Sequence, residues 1–222
     1  MDKLGNITLI HGDCMDFMRT QSDKSFDLSI VDPPYGIGAS EMTMGSRKKK
    51  NFTKGKKWDL KPPSEEYFRE LMRVCKNQII WGGNYFSCLY PSRSWIVWDK
   101  GIYGGVSFAD CELAWTSFNV SMRIAQITHR GFLCKDKIRI HPTQKPETLY
   151  KWLLHNYAKE GDKILDTHLG SGSICLACHD YGFEMTGIEL DADYYDGARK
   201  RLMNHRAQQR LFTNHSFISK KC

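Results

Sequence analysis

The sequence predicts an α/β protein with a single doubly wound, mostly parallel sheet and helices on both faces. Three observations lead to this fold class. Short apolar runs alternate with segments of helical periodicity along most of the chain. The run at 26–31 is largely apolar and stops at two prolines, as expected of a buried strand. The run at 163–166 is followed by a glycine turn and a helix, which is typical of a parallel α/β unit.

Each remaining element follows from a local pattern in the first half of the chain. Residues 7–10 form an apolar run, and a short helix carrying Met15, Phe17 and Met18 is expected after it. Ser64 comes directly after two prolines and is a suitable N-cap for a helix with apolar residues at helical spacing from 67 to 75. Further strands are expected at 78–81, 95–98 and 112–118.

The second half of the chain repeats the alternation of helix and strand. A helix is predicted at 146–157, a strand at 163–166, a helix ending near 181, a strand at 184–189 and a long basic helix from about 193. Residues 36–61 and 119–140 show no clear period and are predicted to be insertions. We expect one domain that spans 1–222 and carries both insertions.

Composition excludes several classes of protein. The 222 residues are 41% hydrophobic and 26% charged, as in an ordinary globular chain. The sequence has no apolar run of about 18 residues and no signal-peptide pattern at its start, so we expect neither membrane insertion nor secretion. Cys175 and Cys178 form the one C-x-x-C spacing, inside an apolar helical stretch. We predict that they are small core residues with reduced thiols in a cytoplasmic protein.

Positive charge is concentrated in three segments. Residues 36–61 hold eight Lys or Arg against two acids, 119–140 hold five against one, and 199–222 hold seven against none. Since the whole chain has a net charge of +7, the rest of it is acidic. A single charged run is often only a solvated face or a disordered loop. Three such runs around an acidic body indicate a polyanionic partner, most plausibly nucleic acid.

The first chemical motif is Asp32-Pro33-Pro34-Tyr35, at the carboxyl end of the 26–31 strand. Ligands of open α/β sheets bind at that edge. The prolines hold the Pro33 carbonyl in a stiff turn beside the Asp32 carboxylate, so two acceptors face one point and Tyr35 supplies a stacking surface. This arrangement suits the exocyclic amino group of a nucleobase. The alternative is an ordinary Pro-Pro turn that ends a strand.

The second motif follows the strand at 163–166 and predicts a nucleotide-like ligand. Glycines at 170 and 172 allow close approach of the backbone, and Glu189 ends the next strand, where its carboxylate would accept from both ribose hydroxyls. The glycine pattern is shorter than G-x-G-x-x-G, which argues against a dinucleotide with a pyrophosphate. An NAD-binding oxidoreductase is therefore a weaker interpretation.

The third motif is His141-Pro142-Thr143-Gln144-Lys145-Pro146, just before a predicted helix. Polar side chains and free N–H groups at such a position favour an anion such as a carboxylate. The alternative is a helix cap with a solvated lysine.

Together the three motifs resemble the S-adenosylmethionine-dependent DNA amino-methyltransferases, which methylate N6 of adenine or N4 of cytosine. The resemblance runs from Leu9 to about Leu202, and the order of motifs is similar to that of the β group. It implies a Rossmann-like methyltransferase sheet, with Asp32, Pro33, Pro34 and Tyr35 as catalytic residues. The family's D-P-F before the glycines is Asp166-Thr167-His168 here, which predicts a weaker aromatic wall for the cofactor.

The resemblance also implies a set of cofactor-binding residues. His11-Gly12-Asp13 matches the segment that contacts the cofactor's adenine, and the residues 141–146 match the one at its methionine end. The strand 110–115 looks like the one that precedes the family's target-recognition region. The full predicted set is Asp13, Cys14, Asp32, His141, Thr143, Gln144, Lys145, Asp166, His168, Gly170, Ser171, Gly172, Ser173, Glu189 and Leu190.

The predicted reaction is methyl transfer to N6 of an adenine flipped out of DNA. In the family an Asp before Pro-Pro-Tyr goes more often with adenine, and a Ser more often with cytosine. N4-cytosine methylation is the first alternative, and an RNA amino-methyltransferase is the second. A catalytically inactive DNA-binding subunit is disfavoured by the intact string from Asp32 to Tyr35. DNA is the expected partner, while a homodimer, a cognate restriction nuclease and the recognition sequence stay open.

Overall fold

A computed structural model describes residues 1–38, 59–102, 109–128, 140–141 and 143–212, with side chains to residue 208. Nine strands of this part form one sheet in the order β1-β2-β9-β8-β3-β4-β6-β5-β7. Their bounds are β1 Asp2–Leu4, β2 Ile7–His11, β3 Phe26–Val31, β4 Cys75–Trp81, β5 Trp95–Asp99, β6 Cys111–Thr116, β7 Arg123–Gln126, β8 Lys163–Asp166 and β9 Glu184–Glu189. The pairs from β2 through β4 are all parallel, which confirms the predicted sheet.

Helices cover both faces of this sheet, as predicted. They are α1 Cys14–Arg19, α2 Glu65–Val74, α3 Glu147–Tyr157, α4 Ser173–Tyr181 and α5 Ala192–Phe212, with a short 3-10 helix at Gly83–Tyr85. Alternate residues of one strand enter different cores: Ile79 packs with α3, α4 and α5, whereas Ile80 packs with α2. Ser64 caps α2 by accepting from the backbone N–H of Tyr67, which confirms the predicted N-cap.

The strand order reverses between β3 and β8. These two strands are adjacent and parallel, β8 continues outward to β9 and β2, and β3 continues in the other direction to β4. Their carboxyl ends therefore lie side by side at a topological switch point, where open α/β sheets bind their ligands. The turn of the first motif and the glycine turn of the second both begin at this edge.

The predicted elements differ from the structure at several element ends and in two strands that were missed. The helix predicted to reach Cys75 ends at Val74, and Cys75 is already the first residue of β4. The sequence prediction missed β1 and also β7, which lies inside the supposedly irregular 119–140 insertion. Both are short edge strands, and three residues of β7 are exposed, so neither carries an apolar alternation that a sequence pattern would reveal.

Cys175 and Cys178 are buried in α4 with free thiols, which confirms their prediction as core residues. Burial raises the pKa of both thiols well above the usual value. Among the described helices, none is both long and apolar enough to cross a membrane. The lysines at 48, 49, 50, 56 and 57, and most of the basic residues predicted at 119–140, lie outside the described residues.

Candidate active site

The carboxylate of Asp32 is held from two sides at the end of β3. The Tyr35 hydroxyl donates to Oδ1 at 2.7 Å, and the Lys145 ammonium donates to Oδ2 at 2.6 Å. The structure thus brings the first and third motifs into direct contact across 113 positions of sequence. An ionised carboxylate has about four acceptor positions, so two remain for an incoming amine.

The ring of Tyr35 is fixed by the turn that follows β4. It stacks on Tyr85 with centroids 5.0 Å apart and planes at 14°, and Phe86 meets it edge-on at 6.2 Å. Gly82 has a φ of +68°, and a Cβ added there would lie 2.2 Å from a Tyr35 ring carbon. Only glycine therefore permits this backbone so close to the ring. Tyr85 is 48% exposed and leaves an aromatic surface open beside Asp32.

Lys145 joins Asp32 to a second carboxylate that the sequence did not assign. Its ammonium lies 3.1 Å from Glu112 of β6, and the other oxygen of Glu112 lies 2.7 Å from Lys100. The Lys145 side chain is only 3% exposed, and its ammonium also lies 5.2 Å from the centroid of the Trp81 ring. Four charges of alternating sign thus form one continuous row.

Electrostatics keep Lys145 and Glu112 ionised. Burial alone would lower the pKa of Lys145, but the carboxylates of Asp32 and Glu112 raise it above its usual value. Burial would raise the pKa of Glu112, but Lys145 and Lys100 outweigh it and bring that pKa to about 2. Burial and the charge of Asp32 hold the pKa of Tyr35 well above its usual range, so the phenol remains a donor.

The glycine turn after β8 is tied to the end of β9 by Glu189. One oxygen of Glu189 accepts the backbone N–H of Gly170 and the other accepts that of Asp191, both at 2.8 Å. Gly172 has a φ of +67°, and a Cβ there would lie 2.8 Å from that of Ala198 on α5. Glycine is therefore needed both for the turn and for the packing of α5 against it.

The buried Asp166 and the partly buried His168 line this turn. Burial raises the pKa of Asp166 to about 8, although its carboxyl accepts the backbone N–H of His168. Burial lowers the pKa of His168 to about 4, so the ring is neutral at pH 7. The edge of Tyr67 meets this ring at 5.2 Å, and Tyr67 also bonds Thr167 at 2.7 Å. The His168 ring thus sits at the position of the family's Phe.

The two serines of the turn are already engaged within the protein. The hydroxyls of Ser171 and Ser173 lie 3.1 Å apart. Arg201 of α5 donates to the Ser171 carbonyl at 3.0 Å and to the Ser173 hydroxyl at 2.8 Å. The predicted serines therefore hold the turn on α5, through an arginine that the sequence analysis did not single out.

The third motif packs against the same turn. His141 meets Tyr194 edge-on at 4.5 Å and lies beside Gly170. Thr143 bonds the His141 ring at 3.1 Å, and the buried Gln144 accepts the backbone N–H of Ile140. These contacts hold His141, Thr143 and Gln144 together beside the glycine turn. Lys145, which was predicted to face the cofactor's carboxylate, instead lies against Asp32 and Glu112.

The remaining predicted residues lie at the ends of β2 and β9. Asp13 caps α1 by accepting from Met15 at 2.7 Å, and the Cys14 thiol is half-buried with its pKa raised to about 12 by burial. The backbone N–H of Gly12 donates to the Glu189 carbonyl, which joins the two strand ends. Leu190 is 69% exposed and presents an apolar surface at this edge.

These residues fit a nucleoside-like cofactor. Gly12 has open space where a Cβ would stand, the exposed Leu190 offers an apolar face, and the Glu189 carboxylate is an acceptor of the kind that a diol requires. The neutral His168 adds no positive charge to this turn. Sequence reasoning missed Glu112, Lys100, Trp81 and Tyr85, although Glu112 stands out as an acid within an otherwise uncharged strand.

Comparison with known proteins identifies the family to which this chain is similar. A family model described as DNA methylase of the N6/N4 type matches residues 90–200. Type II methyltransferase M.HpaI of Haemophilus parainfluenzae is 27% identical over 87% of this chain and 73% of its own length. The crystal structure of an M1.HpyAVI complex with S-adenosylmethionine superposes with a TM-score of 0.59 at 18% identity, covering 88% of this chain and 98% of that one.

A second solved structure is described with its target base. PvuII DNA methyltransferase, described as cytosine-N4-specific, superposes with a TM-score of 0.56 at 11% identity and covers 93% of each chain. At these identities the two structures support the methyltransferase fold. The family model spans half of the sequence. The chain therefore belongs to the N6/N4 family of DNA methylases, and it is an amino-methyltransferase of DNA.

Proposed function

We propose that this protein transfers the methyl group of S-adenosylmethionine to N6 of an adenine flipped out of DNA. The observation that carries the proposal is the position of the Asp32 carboxylate. It stands at the switch point of the sheet, in contact with Tyr35 and Lys145 and next to the strand that leads into the glycine turn. An amine acceptor and a nucleoside-binding turn thus share one cleft.

Asp32 would activate the amine by hydrogen bonding. The lone pair of a base amino group is delocalised into the ring, so the group is a weak nucleophile until it is pyramidalised. The free lone pairs of Asp32 and the Pro33 carbonyl would accept its two N–H donors, and Pro34 would keep that turn stiff. S-adenosylmethionine supplies an electrophilic methyl on a positively charged sulfur. Positioning and electrostatics would then provide most of the rate gain.

The cofactor would lie along the ends of β8, β9 and β2. Glu189 would accept from the ribose hydroxyls, Asp13 would contact the adenine, and Leu190 with Cys14 would flank the base. Gly170, Gly172, Ser171 and Ser173 would form the turn under the ribose, above Asp166 and His168. His141, Thr143 and Gln144 would face the methionine end. We propose that Lys145 acts on Asp32 and not on the cofactor's carboxylate, because its ammonium already contacts two carboxylates.

The target base would stack in the aromatic pocket beside Asp32. A base inside a duplex is out of reach of a carboxylate in a cleft, so it must be flipped out. Tyr35 and the exposed Tyr85 form a stacked pair at the mouth of the pocket, and stacking on aromatic rings is worth about 1–3 kcal/mol per base. The basic segments 36–61 and 119–140 would hold the phosphate backbone.

N4-cytosine methylation is the second candidate, because cytosine presents a similar amine to Asp32. Two considerations favour adenine. In the family that this chain resembles, Asp before Pro-Pro-Tyr accompanies adenine more often. Flipping also costs least where base pairing is weak, and A·T pairs are weaker than G·C pairs.

Transfer of a labelled methyl group tests the reaction class. The protein is incubated with methyl-labelled S-adenosylmethionine and either mixed-sequence duplex DNA or RNA, and the incorporated label is counted. We expect label in DNA only, and calorimetry should show binding of S-adenosylmethionine but not of NAD. Label in RNA alone, or binding of NAD alone, would contradict the proposal.

A further inference from the structure

The row of charges that begins at Asp32 and Lys145 continues to Glu112 and Lys100. Glu112 touches Lys145 at 3.1 Å and Lys100 at 2.7 Å, and it is not in contact with Asp32. Its ion pairs therefore link it to the target amine through Lys145, and its charge also acts on the same site through space. We propose that Glu112 is a positioning residue for methyl transfer: it holds Lys145 on Asp32 and offsets the positive charge of Lys145 beside the reacting amine. This inference rests on the proposed function.

The first part of the argument is geometric. Lys145 is almost fully buried, and its donors reach Asp32 Oδ2, Glu112 Oε2 and, at 3.5 Å, the Tyr35 hydroxyl. An ammonium bonded to Asp32 alone would be free to pivot on its long side chain. With Glu112 on the other side, Lys145 has one defined position, which leaves the remaining lone pairs of Asp32 directed into the cleft.

The second part concerns charge. Asp32, Lys145, Glu112 and Lys100 sum to zero when all four are ionised. During methyl transfer the S–CH3 bond breaks as the N–CH3 bond forms, so positive charge leaves the sulfur and appears on the amine next to Asp32. The methylated amine then releases one proton, for which the Asp32 carboxylate is the adjacent acceptor. A lone ammonium behind Asp32 would oppose that charge, whereas Glu112 neutralises it. Removing the charge of Glu112 therefore leaves a net +1 at the position where more positive charge must develop.

The groups that face Lys145 come from every neighbouring element of the site. Asp32 and Tyr35 follow β3, Glu112 lies on β6, and the Trp81 ring ends β4 at 5.2 Å from the ammonium. The charges of Asp32 and Glu112 hold the pKa of Lys145 above its usual value against the effect of burial. Loss of the Glu112 charge should lower that pKa.

The chain offers a matched control. Lys151 of α3 also lies between two carboxylates, Glu147 at 2.7 Å and Asp180 at 2.7 Å, and Glu147 is 24% exposed where Glu112 is 26% exposed. Glu147→Gln thus removes the same charge from the same kind of lysine bridge away from Asp32. It should leave kcat within about twofold of the native value.

The test compares four proteins: native, Glu112→Gln, Lys100→Met and the double variant. Glu112→Gln should lower kcat by about 10- to 100-fold with little change in the KM for the cofactor, as one uncompensated charge at this distance implies. Lys100→Met added to Glu112→Gln should restore part of kcat, because it returns the row to neutrality. The Lys100 ammonium lies 5.3 Å from the centroid of the Trp98 ring, and methionine places an uncharged side chain of similar shape there.

A purely structural role of Glu112 predicts the opposite result for the double variant. If it only braces β6, removing Lys100 as well should leave kcat as low or lower, and that result would overturn the proposal. So would a loss confined to KM. NMR titration of lysine side chains provides a readout that needs no turnover: Glu112→Gln should lower the pKa of Lys145. If the native protein methylates no DNA, the proposed function is wrong. If the pKa of Lys145 is the same in Glu112→Gln as in the native protein, the proposed effect of Glu112 on Lys145 is wrong.

Discussion

The carboxylate of Glu189 accepts the backbone N–H of Gly170 at 2.8 Å, which ties the end of β9 to the glycine turn after β8. The same side chain accepts from Asp191 with its other oxygen. The Glu189 carboxylate thus shapes the turn, and we propose that it also presents an acceptor to the ribose of the cofactor. Substitution should therefore act on cofactor binding.

Glu189→Gln should weaken S-adenosylmethionine binding by about 10- to 100-fold, because hydrogen bonds to a charged acceptor are worth about 1.5–3 kcal/mol. Isothermal titration calorimetry gives the dissociation constant directly. Glu184→Gln, at the exposed opposite end of β9, is the control and should bind normally. An unchanged dissociation constant in the Glu189 variant would remove its assigned role.

Asp32→Ala should abolish methyl transfer while cofactor binding stays within a few-fold of native. Loss of the amine acceptor should lower kcat by about 10²- to 10⁴-fold or more. Turnover and calorimetry on the same preparation separate the two effects. Asp27→Ala removes an acid from the other end of β3, where it pairs with Lys76, and should retain turnover. Near-normal turnover without Asp32 would show that another group activates the amine.

His168→Phe should strengthen cofactor binding and flatten the acid side of the stability curve. The pKa of His168 is about 4, below its usual 6.5, so between these values the unfolded chain binds more protons than the folded one. Native stability is then lost as pH falls through this window, by up to about 1.4 kcal/mol per pH unit.

The measurement for His168→Phe is urea unfolding at pH 5 and pH 7.5. The free energy of unfolding should differ less between pH 5 and pH 7.5 in the variant than in the native protein. Loss of the contacts with Tyr67 and Thr167 lowers this free energy at both pH values and so does not affect the comparison. Equal pH dependence would mean that His168 titrates normally in the folded state.

Neutralising Lys48, Lys49, Lys50, Lys56 and Lys57 together should weaken DNA binding about equally on all sequences. Phosphate contacts carry no base information, and each one lost should reduce the slope of log K against log salt by about 0.9. Substituting the exposed Lys3, Lys159 and Lys163 is the control. A change confined to one sequence would indicate base readout, and an unaltered slope would indicate a segment without contact to DNA.

Local patterns predicted those parts of the molecule that local interactions form. The strands at 163–166 and 184–189 were predicted with their observed bounds, since buried parallel strands are apolar and end at turns. The short edge strands β1 and β7 gain their structure from pairing with a neighbour, and three or four residues hold too little pattern to detect.

The site shows the same division. Asp32, the glycine turn and Glu189 stand at strand ends, so their convergence followed from the sheet topology. The ion pair of Lys145 with Asp32 joins residues 113 positions apart, and Glu112 reaches Lys145 from an antiparallel strand. Neither contact has a local signal, because each depends on side-chain packing that only the folded chain defines.

Identification of the methylated base tests the central claim most directly. Duplex DNA is incubated with the protein and methyl-labelled S-adenosylmethionine, digested to nucleosides, and resolved by mass. The account predicts label in N6-methyl-2′-deoxyadenosine, and no label in DNA that was incubated with Asp32→Ala. Label only in N4-methyl-2′-deoxycytidine would contradict the adenine assignment while leaving the amine chemistry of Asp32 in place. Absence of label from both nucleosides would contradict the proposed reaction itself.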